Sequence, residues 1–496
     1  MQPLIKIQIK KGNDLLVVNL IQILIGNELF TVSLSVIDNI NLQLKRYFSS
    51  YWIRSAFYTI LQRFSLTFFG LINFIILVRV LTTAEMGTWA LFLTITSVFE
   101  ATKSGLLKNA HIKYVSGSDD IGERTSIASS SFLINVAITL LFILFLVFFS
   151  DWMSMELHAG TDLSTTLYWF IPGLVSMIFF SHFEAIQQSH LEFKGVLAGY
   201  LVRQVIFFTF LACHFFSEKP FTLATLAVYS SISVFCGASI LYLYSRKYLH
   251  HKFKPTIKST KKIYGYGGYI FGSGVMANIF SNLDQVMTAA FISSSAVAFY
   301  NTASRINGLV DIPSYAAAEV IFPKISKAVV EEGTGKVKYL YERMVGILLS
   351  FTTPAAIFII VFPKFIITII AGAKYVDAAP ILQMYMLTGL MRPMQNQAAN
   401  LLNSIGKPSL CFIINTVSLI INLVISYFCL KYLGFYGAAI ATLIAGAIGF
   451  TIWYFIMKKE IGMQLSKIVS YIISSYKDIY TNGLDFYRRI NWRSQH

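Results

Sequence analysis

The sequence predicts an all-α polytopic membrane protein, with about twelve transmembrane helices in two six-helix lobes around a central cavity. Three observations carry that prediction. Hydrophobic residues make up 55% of the 496 residues and charged ones only 13%, where a soluble domain has about 25% charged. Apolar runs long enough to cross roughly 30 Å of hydrocarbon as helices recur along the chain. The positive charge behind the net +16 gathers in every second connection between those runs.

In chain order the runs lie near 56–81, 86–112, 125–150, 164–188, 195–217, 220–245, 264–292, 296–322, 339–362, 378–404, 408–430 and 436–457. They are far longer than the roughly ten-residue alternating strands of a membrane β-barrel. Lys45, Arg46 and Arg54 precede the first run, and Lys103, Lys108, Lys113 and Arg124 surround the next basic turn. Arg246, Lys247, Lys252, Lys254, Lys258, Lys261 and Lys262 crowd the middle connector; Lys324, Lys327, Lys336, Lys338 and Arg343 fill the one after it. The alternate loops hold little: Lys219, Lys364, Lys374 and Lys431, with Arg79 at a helix end and an acidic loop around Asp151, Glu156 and Asp162. The positive-inside rule then predicts both termini in the cytoplasm. Such a charge pattern reports topology and is no sign of a nucleic-acid partner.

The basic connector 246–262 separates an N-lobe, 51–245, from a C-lobe, 263–458. Residues 1–50 read as a cytoplasmic extension. The stretch Leu15–Ile25 is apolar but too short to span, Asn27 and Glu28 interrupt it, and the start of a secretory signal is missing. An upstream reading-frame extension and an interfacial element both fit. The tail 459–496 interleaves Tyr471, Tyr476, Tyr480, Tyr487 and Trp492 with Lys467, Lys477, Arg488 and Arg489, a pattern suited to an anionic inner leaflet. Cys213, Cys236, Cys411 and Cys429 all fall within runs, with neither disulfide nor metal spacing. The spacing calls for no cofactor, and no segment is long enough for a nucleotide-binding domain.

Polar residues inside the apolar runs are the candidates for chemistry, because a guanidinium at the bilayer centre costs roughly 2.5–3.5 kcal/mol even on insertion scales. Arg63, Arg203, Arg305 and Arg392 are such residues. Each either reaches an interface or a carboxylate, or faces a wet cavity through which something anionic moves. Thr59, Arg63 and Thr67 recur at one-turn spacing; Asn301, Arg305, Gly308, Ile312, Tyr315 and Glu319 share a helical face; Thr388, Arg392, Asn396, Asn400 and Asn403 form a third stripe. Arg203 sits in a more apolar setting, and Asn415 and Asn422 suit hydrogen bonding between helices.

The halves also carry a weak repeat. Asn73, Leu81, Gly87, Trp89 and Glu100 align at one constant offset with Asp284, Ile292, Ala298, Tyr300 and Asp311. With six helices per half the repeat is parallel, about an axis along the membrane normal.

The stretch Asn282-Leu-Asp-Gln-Val-Met-Thr-Ala-Ala-Phe-Ile-Ser-Ser-Ser-Ala-Val-Ala-Phe-Tyr-Asn-Thr-Ala-Ser-Arg305, continuing to Phe322-Pro-Lys-Ile-Ser326, resembles the polysaccharide transporter family. These are the Wzx-type O-antigen and capsule-unit flippases of the multidrug/oligosaccharidyl-lipid/polysaccharide exporter superfamily. Arg79-Val-Leu-Thr-Thr-Ala-Glu-Met-Gly-Thr-Trp89 is similar to the first-half counterpart. Ala298 departs from the glycine common there.

The resemblance implies a non-enzymatic, secondary-type transporter of the bacterial inner membrane. Its substrate would be a polyprenyl-diphosphate-linked oligosaccharide, flipped to the outer leaflet by alternating access for O-antigen, capsule or exopolysaccharide assembly. Its partners would be that lipid-linked glycan, the bilayer and other glycan-assembly proteins. Guanidinium matches phosphate oxygens in bidentate fashion and keeps its charge. On that reading Arg63 and Arg305 hold the diphosphate, Arg392 assists, and Lys103 or Lys108 acts near the cytoplasmic entrance. Asp284, Asp311 and Glu319 are candidates for coupling to H⁺ or Na⁺, while Glu100, one turn from Lys103, suits an ion pair. The rival readings are a drug exporter of the same superfamily and, from another class, a membrane glycan polymerase or glycosyltransferase. A drug exporter would want a less cationic cavity. A polymerase would want a large outer loop, and a transferase a catalytic domain, whereas the outer loops here are short.

Overall fold

The computed structural model describes residues 51–217, 220–249, 253–331 and 333–477; the side chains of 51–54, 56, 266–281, 315–324, 326–331 and 408 lie outside the description. The expected extension 1–50 and the end of the basic tail therefore fall outside the described residues, as does the side chain of Glu319. The chain divides into two units, Met1–Arg63 and Phe64–His496. The described part of the first is the opening of one helix, in which the Thr59 hydroxyl donates to the Ser55 carbonyl at 3.0 Å and Arg63 is exposed.

In chain order the helices are α1 Tyr51–Val80, α2 Thr83–Ser116, α3 Ile121–Glu156, α4 Gly160–Trp169, α5 Ile171–Ser189, α6 Phe193–Phe216, α7 Leu223–Ser245 and α8 Ile257–Phe291. They continue as α9 Ser294–Glu331, α10 Gly333–Val361, α11 Pro363–Ile370, α12 Ala379–Gly389, α13 Arg392–Ser404, α14 Pro408–Leu433 and α15 Gly437–Ile461. A last helix, α16, covers 465–477. Every regular element among the described residues is helical. Seven helices are long and apolar enough to cross a membrane, or eight if the bent pair α4–α5 is one span; 409–461 is one stretch in that count although a short 3₁₀ turn, Gly434–Tyr436, interrupts it. The chain is thus an all-α, multi-pass membrane protein.

Local chemistry sets the helix ends. Thr82 accepts from the Glu85 backbone N–H at 3.2 Å while the Glu85 carboxylate accepts from the Thr82 N–H at 2.8 Å, a reciprocal cap that starts α2. Asp120 caps α3 by accepting from the backbone N–H groups of Gly122 and Glu123. Thr256 caps α8 through the Ser259 N–H.

Two predicted spans are corrected. The run 164–188 is bent by 45° between α4 and α5, and the run 378–404 is split into α12 and α13. Pro172 and Pro393 stand in the first turn of α5 and of α13. In an unbroken helix each would lack its N–H and press its ring on the carbonyl four residues back. Hydropathy alone hides such breaks.

In the first half α2 packs on α3 and α5, and α7 on α5 and α6; in the second, α9 packs on α10, α12 and α13, α8 on α14, and α14 on α15. The main bridge between the halves is α2, laid against both α8 and α9, with α3 also packed on α8. At Gly87 that approach is so close that an added Cβ would lie 1.7 Å from the Ser294 carbonyl oxygen and 3.4 Å from the Ala298 nitrogen. Gly87 and Ala298 are partners in the sequence repeat, and here they meet. Only one side of the contact needs to be glycine, so Ala298, fully buried, is accommodated.

The connector between the halves is stitched to α3. The Lys254 N–H donates to Ser129 Oγ and the Thr256 N–H to Ser130 Oγ, each at 3.1 Å, and Lys262 pairs with Glu123 at 2.7 Å. The tail begins as a docked helix: Tyr471 lies over Gly346, where a Cβ would come within 2.5 Å of it, and the Tyr476 hydroxyl donates to the Ser350 carbonyl at 2.7 Å.

Candidate functional site

The second unit contains a cavity of about 880 Å³ bordered by α1, α2, α5, α6, α8 and α9. At the α1–α2 turn the halves hold one another through backbone carbonyls. Arg79 Nη2 donates to Ile369 O at 2.6 Å and Lys374 Nζ to Leu81 O at 2.5 Å. The cavity begins beneath that contact near Ala90 and follows α2 down to Lys108. Its upper wall is polar and shared between the halves. Thr94 Oγ1 donates to Gln285 Oε1 at 3.4 Å, and Asn301 Nδ2 donates to the same oxygen at 3.1 Å.

Five charged side chains border the cavity: Glu100, Lys108, Glu184, Arg203 and Arg305. Lys108 pairs with Glu184 at 2.6 Å, and the Tyr200 hydroxyl donates to the same carboxylate oxygen at 3.2 Å. Lys103 is buried and pairs with Glu100 at 2.7 Å, with its ammonium 5.3 Å from the Phe99 ring centroid. Arg305 is exposed to the cavity and stands 6.0 Å from the Phe74 ring centroid. Arg203 is half-buried, 3.9 Å from Met177 Sδ and 5.5 Å from the Phe180 ring centroid. A side pocket of about 270 Å³, bordered by Asn73, Gln204, Ser230 and Ser233, adjoins the cavity, and both arginines border it too.

The remaining predicted residues lie elsewhere. Arg392 Nη1 meets Asp311 Oδ2 at 2.7 Å. Asn307, turned so that its amide is satisfied on both sides, accepts from the same Nη1 at 2.7 Å and donates to Tyr385 O at 3.2 Å. That pairing satisfies a guanidinium read as a substrate contact and a carboxylate read as a coupling group. Asp284 has its own enclosure: Thr442 Oγ1 donates to its Oδ2 at 2.6 Å and the Tyr385 hydroxyl at 3.2 Å. Its Oδ1 is buried without a hydrogen-bond partner, as is Oδ1 of Asn73, the residue aligned with it in the first half. Asn422 accepts from Ser426 at 3.3 Å within α14. Arg63 belongs to the first unit.

Arg203, one of the four arginines inside apolar runs, is the one whose apolar setting in the sequence set it below the others, yet it borders the cavity. A signal was present: Gly195, Gly199 and Arg203 recur at one-turn spacing on α6, the small-residue pattern of close membrane helices. A Cβ at Gly237 on α7 would lie 2.9 Å from Gly199 O and 3.1 Å from Arg203 Cβ. The tight crossing fixes where the arginine leaves the helix.

Comparison with known proteins gives the family and the fold. The family model described as polysaccharide biosynthesis protein matches residues 52–329, and the model described as MatE matches 270–428. An uncharacterised membrane protein of the cps region of Klebsiella pneumoniae is 24% identical over 426 residues, 82% of each chain. The probable low-salt glycan biosynthesis flippase Agl15 of Haloferax volcanii is 23% identical over 195 residues, 39% of this chain and 41% of that one. The uncharacterised membrane protein MJ1068 of Methanocaldococcus jannaschii is 29% identical over 238 residues, 45% of this chain and 47% of its own. The chain therefore spans less than half the length of these last two relatives.

Among solved structures, the lipid II flippase MurJ in an inward closed conformation superposes with a TM-score of 0.71 at 17% identity, over 87% of this chain and 93% of that one. A multidrug resistance MATE family transporter of the MOP superfamily, inward-facing, gives 0.70 at 14% identity over 80% and 94%. The outward-facing conformation of such a transporter gives 0.60 over 83% and 95%. The fold is the one these solved structures share. With its family model matched over more than half of the chain, the protein belongs to the polysaccharide biosynthesis protein family, within the superfamily that also holds the MATE transporters.

Proposed function

We propose that this protein flips a polyprenyl-diphosphate-linked oligosaccharide from the cytoplasmic to the outer leaflet of a bacterial inner membrane, for assembly of O-antigen, capsule or exopolysaccharide. On this reading twelve spans form two six-helix lobes with both termini cytoplasmic, and the lobes rock about the α2–α8–α9 contact to give alternating access. The contact at the α1–α2 turn is then the closed outer side, and the structure is in an inward-facing state. The better superposition on inward-facing than on outward-facing relatives supports that state.

One observation carries the proposal: Arg305 stands exposed in a cavity between the halves with no carboxylate paired to it among the described residues. A guanidinium kept there needs an anionic cargo, and a cationic drug would be repelled by it. Lys108, paired with Glu184, sits where the substrate enters. Asp284, with one oxygen held and the other open, is the leading candidate for coupling to H⁺ or Na⁺. In a strain lacking its own copy of the gene, Arg305→Ala should abolish display of the finished glycan at normal protein level. Full display by that variant, read by glycan staining beside an immunoblot, would overturn the assignment.

A further inference from the structure

We propose that the first half carries a second binding site, at the end of the bundle beside the connector, which takes the phosphate and glycerol of an anionic phospholipid. Only the assignment of that lipid to the inner leaflet rests on the topology proposed above; the pocket and its charge do not.

The site is a pocket of about 360 Å³ bordered by α2, α3, α5 and the start of the connector, and it shares no bordering residue with the central cavity. Two permanent cations border it, Arg124 on α3 and Lys247 in the 3₁₀ turn Arg246–Tyr248 that follows α7, and no carboxylate does among the described residues. Both cations have carboxylate partners outside the pocket. Arg124 lies 3.6 Å from Asp119, which is fully exposed, and Lys247 pairs with Glu192 at the surface. Exposed pairs of this kind contribute little, so a phosphate oxygen can compete for either cation.

The chemistry changes with depth. Phe132 lies about 12 Å along α3 from Arg124, at 1.5 Å per residue, and there the border is aromatic. Its ring meets His182 edge to face at 4.9 Å and Phe253 at 6.3 Å. Phe179 and Phe253 are exposed and give acyl chains an apolar rim to follow. One polar group is set among the rings: His111 borders the pocket and is fully buried, and neither of its ring nitrogens has a hydrogen-bond partner. His182 stands edge to face with it at 5.8 Å. A buried imidazole that its own chain leaves unsatisfied is costly, and an ester carbonyl at that depth would accept from its N–H.

An anionic phospholipid matches this order, with a phosphate for the cations, ester carbonyls for the imidazole and chains for the phenylalanines. Free phosphate offers only the first of these. A zwitterionic lipid adds a cation that Arg124 and Lys247 repel. The lipid would also fasten the connector, because Phe253 precedes Lys254, whose N–H donates to Ser129 Oγ on the pocket's border.

Native mass spectrometry of the purified, delipidated full-length protein tests the site with phosphatidylglycerol and phosphatidylcholine of equal chain length. The wild type should hold its first phosphatidylglycerol about tenfold more tightly than phosphatidylcholine, or better. Arg124→Gln with Lys247→Gln should bind the two lipids alike. Ala128→Phe, which fills the pocket and leaves every charge in place, should lose the preference too. Lys258→Gln with Lys261→Gln, which removes two exposed connector cations outside the pocket, should match the wild type. If Ala128→Phe does not fold, the two charge variants decide. A preference that survives in Arg124→Gln with Lys247→Gln, or in folded Ala128→Phe, overturns the inference. Equal loss in both charge variants means general surface attraction and also overturns it. Displacement of the bound lipid by inorganic phosphate, or by a polyprenyl-diphosphate sugar, identifies a different occupant and does the same. None of these outcomes touches the proposed function, which is read from transport.

Discussion

A buried ionisable side chain in a membrane protein needs compensation, and this chain shows three forms of it. Arg392 and Lys103 are paired with carboxylates at 2.7 Å. Arg305 opens onto a cavity. Asp284 has one oxygen satisfied by two hydroxyls and the other unpartnered. The sequence marks Arg305, Arg392 and Asp284 as costly inside apolar runs and sets Lys103 beside a basic turn, but it does not show which compensation the first three receive, because pairing depends on helices far apart in the chain. Arg392 and Asp311 are on different helices, and nothing in their spacing announces the bond. The Glu100–Lys103 pair was readable, being one turn apart on α2. Asp284 yields a prediction at this scale. Asn can still accept from Thr442 and Tyr385 but cannot change its charge, so Asp284→Asn should fold normally. Its transport should lose all response to an imposed proton or sodium gradient in proteoliposomes. An undiminished response would remove Asp284 from the coupling role.

At the scale of elements, the helices were legible where an apolar run is unbroken and hidden where proline interrupts it. Pro172 and Pro393 split runs that hydropathy reads as continuous. The repeat was legible in outline, and its centre is the contact between Gly87 and the α8–α9 turn. What the sequence could not show is that the two aligned positions touch each other. That contact makes a second prediction. A side chain at Gly87 collides with the Ser294 carbonyl, which is backbone and cannot rotate away, so Gly87→Leu should drive α2 off α9 and favour the outward-open arrangement. Ser294 is buried in this state. In a protein cleared of its four native cysteines, Ser294→Cys should resist a membrane-impermeant maleimide, and adding Gly87→Leu should make it reactive. Equal protection with and without the leucine would count against rocking about this contact.

For the whole molecule, composition and charge pattern were enough to identify a multi-pass, all-α membrane protein, because the bilayer admits few solutions for so apolar a chain. The cavity was less legible. The stripe containing Arg305 pointed to it, whereas Arg203, also marked in the sequence but in a more apolar setting, was tied to the cavity only by the structure, where Gly199 and Gly237 bring α6 and α7 together. On the proposed function the whole molecule moves a lipid-linked glycan without altering it. The most direct measurement is reconstitution into liposomes with a fluorescent polyprenyl-diphosphate oligosaccharide, following the label's access to a membrane-impermeant quencher and its chemical integrity afterwards. Exchange between leaflets should run well above that of protein-free liposomes and be lost in Arg305→Ala, with the substrate recovered intact. Exchange no faster than in protein-free liposomes, or recovery of a lengthened or cleaved glycan, would contradict it.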